Sequence, residues 1–161
     1  MIVYLLRHAE AGEAPRDEAR ELTDHGRAQA AAVAAGIRWL DLGISAIISS
    51  PLPRARQTAQ PVADALDLAL ETADGLATGQ RPAHGIALLV GRGDGLLLVG
   101  HEPQLSGIIS TVTGGRVHMG KAMLAALECS SLDAPNGALT WLLAWRHLER
   151  LGRQKEWKSL S

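Results

Sequence analysis

The chain has 161 residues, 47% of them hydrophobic and 20% charged, with a formal net charge of −1. Residues 1–161 are one domain by size, with enough apolar side chain for a single core and too little length for a second, and the composition excludes an intrinsically disordered chain. Near-neutral charge gives no long-range attraction to nucleic acid or to an anionic membrane, so neither is expected as a partner.

The first predicted element is the short apolar run Ile2-Val3-Tyr4-Leu5-Leu6, a buried strand that delivers Arg7-His8 at its end. No basic segment precedes it, so a signal peptide is not expected. No apolar stretch approaches the roughly 20 residues of a membrane span, and the expected location is the cytoplasm. A helix follows, with Thr23 as N-cap and Ala30, Val33, Ala34, Ile37 and Leu40 repeating along one face, while Arg27, Gln29 and Arg38 fall elsewhere. Asp41-Leu42-Gly43 ends it.

Residues 44–49 are short, β-branched and bounded by Gly43 and Pro51, which predicts a second strand. Pro53 then suits the first turn of a helix running to about Leu66. Residues 67–72 are expected as an edge strand, 78–82 as a loop, and 84–90 as a short helix. Leu96-Leu97-Leu98-Val99-Gly100 repeats the opening pattern, a buried strand ending in a histidine, His101. Pro103 opens a further helix through Ile108, Ile109 and Val112, stopped by Gly114-Gly115. Residues 123–129 and 138–145 read as an antiparallel strand pair joined by the turn 133–137. The tail 146–161 is charged and mixed, and reads as a partly ordered surface segment. Cys129, the only cysteine, is expected to be a small buried thiol and can close no intramolecular disulfide.

Alternating strands and helices followed by two consecutive strands predict an α/β fold. It is expected to be a three-layer sandwich with a mainly parallel central sheet, an antiparallel C-terminal strand pair, and helices on both faces. Ligands of such sheets bind beyond the carboxyl ends of the strands, where Arg7, His8, Arg54 and His101 all fall.

Two arginines and two histidines at one sheet edge describe a phosphoryl-transfer site. Such a site needs an in-line nucleophile and compensation for charge on three peripheral oxygens. Arg7 and Arg54 offer forked donors at any working pH, and His101 adds a contact from the opposite wall. His8 is the candidate nucleophile, because adjacent guanidinium groups disfavour a second positive charge and keep its imidazole neutral. A lone histidine at a strand end is more often a hydrogen-bonded structural residue, and it is the four residues together that reverse that expectation. His25, His84, His118 and His147 lack such a setting and are expected at the surface or in caps. Arg56 lies about 200° around the helix from Arg54 and is expected to be solvated. Lys121 could reach the pocket, but nothing in its spacing requires it. No His-x-x-x-His pattern occurs and the arginines would repel a cation, so neither metal nor cofactor is expected.

These motifs, Arg7-His8, Ser49-Ser50-Pro51-Leu52-Pro53-Arg54-Ala55-Arg56-Gln57-Thr58-Ala59 and Gly100-His101-Glu102-Pro103, resemble those of the histidine phosphatase (phosphoglycerate mutase-like) superfamily. Within it, the short length, Arg20-Glu21-Leu22-Thr23 with Gly26, and Asn136-Gly137 with Thr140-Trp141 resemble the small phosphohistidine phosphatases of the SixA type. The resemblance runs from Ile2 to about Trp145. It implies that His8 carries a phosphohistidine intermediate and that Arg7, Arg54 and His101 surround the phosphate.

Larger members of the superfamily carry a long insertion after the helix of the second strand, with an acid that protonates an oxygen leaving group, and no such lid fits between Thr58 and Gly79. An open pocket suits a phosphorylated protein, with phosphohistidine as the substrate. A small phosphate monoester is the alternative, and Glu102 or Glu10 is then the candidate proton donor. For Glu102 the preferred reading is structural, a carboxylate at a helix start. A non-catalytic phosphoprotein-binding module is the third reading, and His8 speaks against it, since binding alone would need only the arginines. The oligomeric state has no signal in the sequence.

Overall fold

The computed structural model describes residues 1–130 and 136–154. Its core is one six-stranded sheet built from β1 (Ile2–Arg7), β2 (Ala46–Ser49), β3 (Leu70–Thr72), β4 (Leu96–Gly100), β5 (Leu124–Cys129) and β6 (Gly137–Leu143), in the order β3-β2-β4-β1-β5-β6. The first four strands run parallel, and β5 pairs antiparallel with both β1 and β6. The helices are α1 (Asp24–Leu40), α2 (Pro53–Leu66), α3 (Pro82–Ala87), α4 (Gln104–Thr113) and α5 (Trp145–Gly152).

Side chains alternate across the pleat, so each strand feeds two cores. Tyr4, Leu6, Ile47, Leu97 and Val99 face one side, under Val33 and Ile37 of α1, Ala59 and Val62 of α2, and Leu148 of α5. Val3, Leu5, Ile48, Leu96 and Leu98 face the other, under Leu105, Ile108 and Ile109 of α4. Helices therefore cover both faces, as the strand and helix alternation predicts.

The helix ends follow their local chemistry. Thr23 accepts a hydrogen bond from Gly26 N at 3.0 Å, and Asp41 and Asp67 close α1 and α2 in the left-handed conformation. Gly26 is needed for closeness, because a Cβ there would run into the backbone of Glu10. Gln29 departs from its expected place. It is buried because its Oε1 accepts from Glu10 N at 2.9 Å, tying α1 to the loop that leaves β1.

The end of the chain needs a second correction. The apolar run of β6 stops at Leu143 and Trp145 starts a helix, in contrast to the strand expected through residue 145 and the surface tail expected from residue 146. Leu148 is fully buried against Gly36 of α1, and the charged residues of α5 face outward around it. Residues 155–161, which include Trp157, and most of the expected 133–137 turn lie outside the described residues. Among the described residues no helix is long and apolar enough to cross a membrane. Cys129 is free and buried, and burial pushes its thiol pKa up.

Candidate functional site

Register places the site. Arg7 pairs with Gly100 across β1 and β4, and Ser49 pairs with Val99 across β2 and β4, so His8, Ser50 and His101 leave three adjacent parallel strands at one level. His8 N donates to Gly100 O at 3.0 Å and Ser50 N to Val99 O at 2.9 Å, which extends the ladder one step into the site. The two imidazoles face each other with centroids 5.1 Å apart.

The first turn of α2 supplies Arg54, pinned by Thr58. That hydroxyl donates to Arg54 O at 2.7 Å and accepts from Ala9 N at 2.9 Å, locking the loop after β1 to the helix that carries the arginine. Arg54 is buried at 2% exposure. Its Nη1 donates to Asp17 O at 2.6 Å and its Nη2 to Asp17 Oδ2 at 2.8 Å. Arg7 donates through Nη1 to Met119 O at 2.7 Å. His8 Nδ1 lies 2.7 Å from Ala9 O, and because a carbonyl only accepts, this nitrogen carries the proton and Nε2 keeps its lone pair.

Three buried nitrogens in this cluster, Arg7 Nε, Arg54 Nε and His101 Nδ1, have no hydrogen-bond partner among the described residues. A buried donor left unmatched is costly, so several at one place mark a site built for an acceptor-rich guest.

Both histidines are strongly held neutral. The His8 pKa is lowered to about 4, first by burial, with Arg54, Arg7 and Arg20 adding to it and the Ala9 carbonyl opposing. That of His101 is lowered to about 3, again first by burial, then by His8 and Arg54, with Asp17 opposing. The direction for His8 agrees with the sequence reading, but desolvation leads and the guanidinium charges come second.

The remaining candidates separate cleanly. Glu10 is part of the scaffold, its Oε1 accepting from Thr23 Oγ1 at 2.8 Å. Glu102 sits just before α4 and binds the Ser106 hydroxyl through Oε2, while its Oε1 is buried without a partner among the described residues. Arg56, Lys121, His25, His84, His118 and His147 are exposed, and His147 caps α5 by accepting from Ala144 N at 3.3 Å.

Residues 3–80 match the sequence profile of the Histidine phosphatase superfamily (branch 1), a span that holds both Arg7-His8 and the Ser49–Ala59 motif. The fold is also that of solved phosphatases. The protein histidine phosphatase SixA complexed with tungstate superposes with a TM-score of 0.81 at 24% identity, covering 92% of this chain and 99% of that one. Just under half of the chain thus matches the superfamily profile, and its fold is that of a SixA phosphatase. A candidate phosphohistidine phosphatase SixA from Agrobacterium tumefaciens is 27% identical, with a TM-score of 0.78 over 89% of this chain and 97% of that one. A phosphoserine phosphatase from Entamoeba histolytica, in complex with 3-phosphoglyceric acid, shares the fold at 20% identity and a TM-score of 0.71, over 91% of this chain and 98% of that one. No curated protein matches the chain in sequence.

The site also holds two residues that sequence reasoning missed. Arg20 acts on His8 through its charge, and Asp17 joins the two arginines, accepting from Arg20 Nη1 at 3.1 Å as well as from Arg54. Both belong to the loop between β1 and α1, which folds back on itself through Gly12 N to Glu21 O at 2.9 Å. Arg20 stands in the Arg20–Thr23 segment that carries the SixA-type resemblance, and that segment was the available signal.

Proposed function

We propose that the chain is a metal-independent phosphatase of one domain, acting through a phosphohistidine at His8, and that its substrate is phosphohistidine on a partner protein. The observation that carries this reading is that Arg7 Nε, Arg54 Nε and His101 Nδ1 are all buried with no partner among the described residues, in side chains from one sheet edge that also carries an imidazole whose Nδ1 is already engaged with Ala9 O. Nε2 of His8 attacks phosphorus in line, the P–N bond to the substrate imidazole, protonated from solvent on its other ring nitrogen, breaks so that the ring leaves neutral, and the three peripheral oxygens take the waiting donors. Water then cleaves the P–N bond on His8, releasing inorganic phosphate and restoring the neutral imidazole. The likeness to a SixA structure holding tungstate, a tetrahedral oxyanion, supports a pocket of this shape.

The short connection supports the protein substrate. Between α2 and β4 lie only the three-residue β3, a 3-10 turn at Asp74–Leu76 and the six-residue α3, so this stretch has no long insertion of the kind that supplies an acid in larger superfamily members. A departing imidazole needs no strong acid, and both candidate acids are engaged elsewhere, Glu10 with Thr23 and Glu102 with Ser106. The second reading, a phosphatase of small monoesters, draws on Glu102. Its Oε1 is buried, unpartnered and close enough to act electrostatically on Arg7, as a proton donor to an alkoxide would have to be.

The test compares kcat/KM for a phosphohistidine-bearing protein and for a panel of alkyl phosphates, in the parent and in Glu102→Gln. Faster turnover of phosphohistidine, with little effect of Glu102→Gln on it, is expected. Faster turnover of esters, with a loss of about 10²–10⁴ on them in Glu102→Gln, would move the substrate class to monoesters.

A further inference from the structure

Ser50 is fully buried at the end of β2, and its hydroxyl has a determined set of partners. Oγ accepts from Leu52 N at 3.3 Å and lies 2.8 Å from His101 Nε2. We propose that Ser50 is a positioning residue that donates its hydroxyl proton to Nε2 of His101, fixing the tautomer whose proton sits on Nδ1 and is thereby offered to the phosphoryl group.

The argument is one of proton counting. A neutral imidazole carries one N–H, and Ser50 has one hydroxyl proton. If Nε2 held the ring proton, Ser50 Oγ would receive both that N–H and the Leu52 N–H, and its own proton would be stranded in a buried place. Nδ1, the buried ring nitrogen without a partner, would then present a lone pair to the incoming oxygens. With the proton on Nδ1 both problems vanish. The doubly protonated ring is held off by burial and by the facing groups His8, Arg54 and Arg7, against which Asp17 pulls the other way. The backbone keeps Ser50 in place, since its N donates to Val99 O at 2.9 Å and its O accepts from Ser49 Oγ at 2.9 Å. The inference rests on the phosphoryl pocket proposed above, and deepens it by naming what makes His101 a donor.

The experiment is long-range proton–nitrogen NMR on the full chain, uniformly labelled with nitrogen-15, at neutral pH, with and without orthovanadate. In the parent, His101 Nδ1 is expected to be pyrrole-like and Nε2 pyridine-like, with vanadate moving Nδ1 more than Nε2. In Ser50→Ala this preference should collapse, and vanadate affinity should fall on the order of tenfold as the competent tautomer becomes a minor species. Ser50→Thr, which keeps the hydroxyl, should restore the parent pattern. A pyridine-like Nδ1 in the parent, or an unchanged tautomer ratio in folded Ser50→Ala, would overturn the proposal without the need for any active variant. Vanadate that leaves the signals of both His8 and His101 unmoved would instead overturn the phosphoryl-pocket reading on which it stands.

Discussion

Arg54→Lys keeps the charge of the site and removes its fork, which makes it the sharpest probe of the proposed chemistry. Two of the guanidinium nitrogens are held by Asp17, Nη1 on its backbone oxygen at 2.6 Å and Nη2 on Oδ2 at 2.8 Å, while Nε stays buried and unpartnered. A lysine ammonium can reach Asp17 or a phosphoryl oxygen, not both. Loss of one preorganised donor to developing charge typically costs about 10²–10³ in kcat. Because a positive charge remains nearby, the lower end, about 10², is expected here. Steady-state kcat and KM on a phosphohistidine protein would measure it, with urea unfolding as the check on the fold. Turnover within tenfold of the parent, about 1.4 kcal/mol of barrier, would show that Arg54 does not touch the transferred group. Its role would then be to hold the loop before α1 through Asp17. Asp17→Asn separates the two cases, since a purely tethering arginine predicts that both variants lose alike.

His8→Ala should abolish turnover and leave the fold intact, and rapid quench of the parent on labelled substrate should trap alkali-stable, acid-labile phosphate on His8; label on a serine or on Cys129 would reassign the nucleophile. The pH response follows from burial: with folded values of about 4 for His8 and about 3 for His101 and an unfolded imidazole near 6.5, the unfolded state binds more protons as pH falls below about 6.5. Stability should therefore drop toward acid by about 1.4 kcal/mol per pH unit for each histidine, until pH passes the folded values; urea midpoints that match at pH 7.5 and pH 5 would contradict this. Leu148→Ala should cost about 2–5 kcal/mol of stability while sparing activity per folded molecule, as expected for a fully buried leucine; a cost under about 1 kcal/mol would mean that α5 contributes little to the core.

Much of this site was legible because strands report their ends. A short apolar run bounded by turn residues fixes where a strand stops, and parallel order brings the stops of β1, β2 and β4 to one edge, so His8, Arg54 and His101 could be placed together without coordinates. Asp17 and Arg20 were not legible in that way. They lie in an irregular loop whose path is set by long-range bonds such as Leu22 N to Gln57 Oε1 at 2.8 Å, and no periodicity reports such a bond. Gln29 and Leu148 were misplaced for related reasons. Gln29 lies three residues beyond Gly26 and four before Val33, on the face that meets the loop after β1, and a polar residue there is buried because Glu10 N needs its oxygen. Leu148 is hidden in sequence by the charged residues around it, which occupy the outer face of a short helix.

The same physics that obscured the loop explains how a chain of formal charge −1 holds so cationic a pocket. Asp17 accepts from Arg54 and Arg20 together, and these bonds hold its carboxyl below the usual carboxylate range, first through Arg20. One carboxylate thus offsets part of the repulsion between two guanidinium groups that would otherwise disfavour the folded loop. It does so on Nη1 and Nη2 and leaves the buried Arg54 Nε without a partner among the described residues. A carboxylate placed among the inner donors would compete with a phosphoryl group for them. Placed where it is, it orients Arg54 and leaves Arg54 Nε without a competing acceptor, so the bonds that stabilise the loop also suit the site to the charge on the three peripheral oxygens of a phosphoryl group in flight.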